Sequence, residues 1–253
     1  TGFTIFENIK QIDQSLIIWR STSQWIGGLH FLFSILLLID IFDENLKKSL
    51  TNYLSLSSSE IFKQSFKIIV IYTLLTFLIF IILKFLNLRT FDAFNLSFTL
   101  ISSGGFFPTN NFDVLFQSDL SKFILSILML FSYFSIFFSY NLIYLRKKNI
   151  NFFYEDLHLI IYFIIVITIF LLFFSFNNDF SINLLSVASS MSNIGFSFDL
   201  EKPNLTFIFL ILVIIGGSFF STSSGLRFIK IYSLFKYSIN QILSFSRPKN
   251  VFM

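Results

Sequence analysis

Phe91-Asp92-Ala93-Phe94-Asn95-Leu96-Ser97-Phe98-Thr99-Leu100-Ile101 runs straight into Ser102-Ser103-Gly104-Gly105-Phe106. The first part is mainly apolar, yet far short of the roughly 20 residues a helix needs to cross a bilayer. It lies in a connection between two longer apolar runs. The stretch therefore reads as a half-helix that dips into the membrane and gives way to an extended return at a glycine. Irregular backbone at that depth is tolerated only when it is buried in protein or lines a water-filled cavity. Asp92 is placed to cap the helix start, where a carboxylate accepts orphan N–H groups.

The same order recurs. Phe180–Met191 is short and apolar, has Asp179 or Ser181 as a cap, and leads to Asn193-Ile194-Gly195-Phe196. Thr1-Gly2-Phe3-Thr4 reads as the end of a third such loop. A recurring order of span, short helix, glycine and span signals repeated units. Such loops would gather around one axis. Gly2, Gly104 and Gly195 would supply permissive dihedrals. The backbone carbonyls of Thr1, Ser102, Ser103, Asn193 and Ile194 are candidates to replace the water around a monovalent cation. Half-helix C-termini would add partial negative charge.

Working outward, five runs are long enough to span: about Leu16–Phe42, Phe66–Leu86, Ser121–Leu145, Leu157–Phe176 and an interrupted Leu205–Phe235. Lys47, Lys48, Lys63 and Lys67 flank one connection. Arg146, Lys147 and Lys148 follow the third span, and Lys230, Lys236, Arg247 and Lys249 the last. The positive-inside rule puts these regions in the cytoplasm. Connections with Asp92, Asp113 and Asp119, or with Asp179, Asp199 and Glu201, then face outside.

The chain has 253 residues, of which 55% are hydrophobic and 13% charged, too apolar for a soluble domain of this size. Its 40 Phe residues read mainly as codon bias and carry little functional information singly. With no Cys, disulfides and thiolate metal sites are excluded, and His30 and His158 cannot make a His-rich site unaided. The net charge of +4 reflects topology and gives no nucleic-acid signal.

The last span is broken by Gly216-Gly217-Ser218-Phe219-Phe220-Ser221-Thr222-Ser223-Ser224-Gly225, with Arg227 and Lys230 close behind. A polar, glycine-bearing run there breaks a helix near mid-membrane. Below an ion filter it would act as a gate; close packing by small residues is the plainer reading. Arg227 and Lys230 mark a cytoplasmic end or place positive charge near the conduction path.

Trp19-Arg20-Ser21-Thr22-Ser23-Gln24-Trp25-Ile26-Gly27-Gly28 opens the first span. An arginine inside a span is costly unless it is paired or near the interface, so Arg20 reads as a structural support behind the filter, with direct electrostatic handling of the ion as the alternative. The two Trp suit an interfacial belt. His30 reads as a core histidine, Asn141 as packing glue, Asp40 as interfacial, and Glu155 and Asp156 as a solvated helix start. No catalytic constellation is present, and the chain does not read as an enzyme.

These three features together resemble the Trk/Ktr/HKT superfamily, and within it the TrkH-type potassium transporter membrane subunits. The resemblance covers essentially the whole chain. It implies an all-α polytopic membrane protein built of repeated span–pore helix–span units, like a potassium channel, with a broken last helix. Residues 1–50 would end repeat one, 51–150 form repeat two and 151–253 repeat three. The chain would be a fragment of a longer protein with a fourth repeat downstream. The filter positions map to Thr1-Gly2, Ser102-Ser103-Gly104 and Asn193-Ile194-Gly195. The gate maps to Gly216, Gly217, Ser218, Ser221, Thr222, Ser223, Ser224 and Gly225.

The resemblance further implies potassium uptake across a bacterial-type inner membrane, with potassium as the bound ion and no organic cofactor. It implies a homodimer and a cytosolic ring of nucleotide-binding regulatory subunits; the other partner is the lipid bilayer, and no nucleic acid is expected. The chain departs from the family pattern in three places. Asn193-Ile194-Gly195 stands where Thr-Thr-Gly is usual, Ser221-Thr222-Ser223-Ser224-Gly225 is poorer in glycine than the usual gate, and His30 replaces a common glycine. A sodium- and potassium-permeable relative is one alternative. A broken-helix solute carrier is another, although its repeats would be inverted.

Overall fold

Long apolar runs without internal Pro make long helices, and the computed structural model of the chain is all-α. It describes residues 12–42, 61–109, 112–137, 154–174, 180–196 and 204–246. Thr1, Gly2, Asn141 and Asp179 lie outside these residues, as do the side chains of Asp40, Glu155 and Asp156. So do most of the basic connections on which the topology expectation rests.

Helix α1 spans Gln14–Phe42 and α2 spans Ile61–Phe85. Within α2, Ser65–Phe85 has a mean hydropathy of 2.7 and is long enough to cross a membrane. The short helix α3, Thr90–Ile101, follows after a turn. A single turn, α4 (Phe112–Leu115), precedes α5, Asp119–Tyr133. Helix α6 is Tyr154–Phe174, and the second short helix, α7, is Phe180–Met191. The interrupted span comprises α8, Asn204–Ile214, and α9, Phe228–Ser246. Among the described residues there is no β-strand, only one parallel bridge between Ile215 and Leu226.

The two short helices are the centre of the packing. Helix α3 lies between α1 and α2, and α7 lies between α5, α6 and α8. Eight of the twelve residues of α3 and ten of the twelve of α7 are buried. A helix buried nearly all round is a core element, which fits a half-helix enclosed by spans.

One stripe of α1 makes the first of these contacts. Ser21, Gln24, Trp25 and Gly28 sit at helical neighbour spacing. Ser21 Oγ donates to Asn95 Oδ1. Trp25 stacks on Phe98 with centroids 5.5 Å apart, and its indole N–H donates to Thr76 Oγ1 at 3.4 Å. Trp25 is thus a packing residue behind the short helix and does not belong to an interfacial belt. Trp19 is 68% exposed and stands at the rim of the cavity described below.

Three further expectations are corrected. Asp92 does not cap α3 by its side chain: the N-cap residue is Arg89 and no side-chain cap bond forms. Asp92 lies in the first turn, where its charge suits the helix dipole. Ser181 Oγ donates to Asp119 Oδ1 at 2.8 Å, pinning α7 to the start of α5 instead of capping α7. His30 is exposed and is not a core histidine.

The third long run is also not one helix. Helix α5 stops at Tyr133; Phe134 is extended at φ −79° and ψ 162°, and helical geometry resumes only at Ile136. No Gly or Pro marks this break. Its cause lies in the interrupted span, which takes over the freed carbonyls.

Candidate cation site between two glycine loops

The two short helices end in the same way. Ser103 turns to φ 54°, its N–H donates to Leu100 O at 3.3 Å, and Gly104 N–H donates to Thr99 O at 2.8 Å. Asn193 turns to φ 58°, its N–H donates to Ser190 O, and Ile194 N–H donates to Ser189 O, both at 3.2 Å. This pair of bonds around a left-handed residue is the Schellman closure. Ser103 therefore matches Asn193, and Gly104 matches Ile194.

Two residues on, Gly105 at φ 71° matches Gly195 at φ 79°. The permissive dihedral in the second loop thus belongs to Gly105, and the expectation that Gly104 supplies it is corrected. Gly104 is small for another reason. A Cβ there would clash with Gln24, lying 2.6 Å from its Cδ. Gln24 Nε2 donates to Gly104 O at 3.1 Å, so α1 buttresses the loop directly.

Both loops face one cavity of about 740 Å³. The second loop contributes Ser102, Ser103 and Gly104, and the third contributes Asn193 and Ile194. Thr222 comes from the interrupted span, and Arg20, Gln24 and Phe31 come from α1. Ser103 Oγ donates to Ser192 O and ties one loop to the other. The structure thus gathers the described filter candidates of both loops, except Gly195, with Thr222 of the candidate gate. Arg20 lies over the Phe106 ring, 4.4 Å from its centroid, just beyond the second loop.

The interrupting run is irregular backbone buried in protein, with Gly216, Gly217, Ser218, Ser221 and Ser223 all buried. Its N–H groups find the carbonyls released by α5. Ser218 N–H donates to Tyr133 O at 3.0 Å and Ser223 N–H to Ser132 O at 3.1 Å, while Ile136 N–H donates back to Phe220 O at 3.0 Å. Two broken helices therefore complete each other's hydrogen bonding, as buried backbone requires.

Arg227 Nη1 donates to Ser218 O, Ser221 Oγ and Ser223 O at 3.2, 3.0 and 3.0 Å. Its guanidinium also sits 5.0 Å from the Phe31 ring centroid. Arg227 thus holds the run from within. Ser224 and Gly225 are exposed, and Lys230 is exposed on α9, away from the cavity lining.

Sequence reasoning missed Gly105, Gln24, and the carbonyls of Ser132 and Tyr133. Gly105 adjoins Gly104, and sequence alone does not separate a dihedral role from a packing role. Gln24 carried a usable signal in its helical spacing with Ser21, Trp25 and Gly28. The α5 carbonyls carried none.

The fold is that of an all-α polytopic membrane transporter. The chain superposes on the crystal structure of the potassium transporter TrkH from Vibrio parahaemolyticus with a TM-score of 0.80 and 18% identity, covering 99% of this chain and 54% of that one. The resemblance read from the sequence is thereby borne out at the level of fold. The chain is also 28% identical to an uncharacterized cation transporter of Methanocaldococcus jannaschii, over 99% of its own length and 52% of that protein. It thus spans about half the length of either. Both are transporters, not enzymes. No family model matches the chain.

Proposed function

We propose that the full protein carries potassium inward across a cell membrane through a backbone-carbonyl filter, with the run from Gly216 to Gly225 as its gate. The observation that carries this reading is the pair of identically closed loops facing one cavity, with Thr222 of the interrupting run on the same wall. The transporters it resembles by sequence and by fold support cation transport as the class of activity. The carbonyls of Ser103 and Gly104, matched by those of Asn193 and Ile194 and flanked by that of Ser102, with those of Thr1 and of a loop outside this chain, would replace the hydration shell. The membrane potential favours entry by about 2.3 kcal/mol per charge per 100 mV.

On this reading the chain supplies the end of one repeat and two complete ones. The assembly is a homodimer in a bacterial-type inner membrane, regulated by a cytosolic nucleotide-binding ring. The test is potassium uptake by the full-length protein in cells lacking other potassium uptake. Gly105→Ser and Gly195→Ser are each expected to lower the preference for potassium over sodium about tenfold, equivalent to ~1.4 kcal/mol. Uptake and preference unchanged in both variants would overturn the filter reading.

A further inference from the structure

We propose that the interrupting run is fastened in its docked position to both filter loops by two side-chain hydrogen bonds, Thr222 to Ile101 and Asn193 to Ser224. The proposal rests on the reading of those loops as a filter. Thr222 Oγ1 donates to Ile101 O at 2.6 Å, and Ile101 is the last residue of α3, immediately before the second loop. Asn193 Nδ2 donates to Ser224 O at 3.0 Å. Asn193 is also the left-handed residue that closes α7, so its side chain leaves from the hinge of the third loop.

The amide orientation follows from the contact. Asn193 Oδ1 is buried and accepts no hydrogen bond. Turned over, it would face the lone pairs of Ser224 O and lose the one bond that it makes. The departure from the family's threonine at this position therefore has a physical content. Threonine is one atom shorter and has no N–H donor, whereas asparagine reaches the run and also accepts the left-handed conformation.

Each tie joins a filter loop to the run across the cavity wall that Asn193 and Thr222 share. If the docked run strengthens ion binding at the filter by some factor, the bound ion must favour docking of the run by that same factor, since linkage is reciprocal. Potassium bound by the filter carbonyls is such an ion.

The test uses a thiol as reporter. Ser218 Oγ is buried and makes no hydrogen bond, so Ser218→Cys removes none. In the full-length protein in liposomes, the modification rate of that cysteine reads release of the run. Potassium is expected to slow it about fivefold. Thr222→Val and Asn193→Ser should each raise the rate about fivefold, the scale of one lost hydrogen bond, and flatten the potassium dependence. Thr222→Ser, which keeps the hydroxyl, should restore both. Wild-type rates in Thr222→Val and Asn193→Ser would overturn the proposal. If those variants accelerate modification while potassium has no effect in any background, the fastening stands and the filter reading falls.

Discussion

A methyl group added at Gly104 and one added at Gly195 meet different obstacles. At Gly195 space is open and the backbone itself objects, because φ is +79°. At Gly104 the obstacle is the Gln24 side chain. Gly195→Ala is expected to cost about 1 kcal/mol, and no neighbouring substitution relieves it. Gly104→Ala displaces Gln24 and its bond to Gly104 O; adding Gln24→Ala should recover much of the loss. A double-mutant cycle on the thermal midpoint of the purified full-length protein separates the two cases, with coupling expected between 104 and 24 and none between 195 and 24.

Among the elements, the contact of α1 with α3 gives the clearest contrast. Trp25 stacks on Phe98 and meets Tyr72 at a tilt of 41°, while Trp19 is largely exposed. Trp25→Ala should destabilise by about 3 kcal/mol, and Trp19→Ala should stay within about 0.5 kcal/mol; denaturant midpoints in detergent measure both. The short helices were legible in the sequence because apolar runs too short to cross leave few alternatives. The interrupted last span was legible because glycine and serine replace apolar residues there. The break at Phe134-Ser135 was not. Its residues suit a helix, and the break is imposed by donors at Ser218 and Ser223, far along the chain. The roles of Gly104 and Gly105 were blurred for a related reason. The φ 71° at Gly105 follows from where the cap closes, and the crowding at Gly104 follows from α1.

For the whole molecule, the order of spans sets which ends share a side of the membrane. On the topology expected from the charged connections, Ser118, the N-cap of α5, stands at the outer end of its span, and Gln241 on α9 stands beyond the inner end of the last one. This chain contributes no cysteine, so in a full-length protein freed of any cysteine elsewhere Ser118→Cys should label with an impermeant thiol reagent in intact cells, and Gln241→Cys only after the membrane is opened. Labelling of both from outside would contradict an odd number of crossings between Ser118 and Gln241.

The mutual repair of the two broken helices also constrains biosynthesis. Translation at about 5–20 residues per second delivers Ser218–Ser223 roughly 4–17 s after Tyr133 has left the ribosome. During that interval the carbonyls of Ser132 and Tyr133 lack the donors that hold them in the finished protein, and an unsatisfied carbonyl in hydrocarbon costs several kcal/mol. The nascent α5 therefore enters the bilayer as an unbroken helix or waits in a wet site. It acquires its bend only when the later segment arrives, so the shape of this early helix is decided by codons not yet translated when it is inserted.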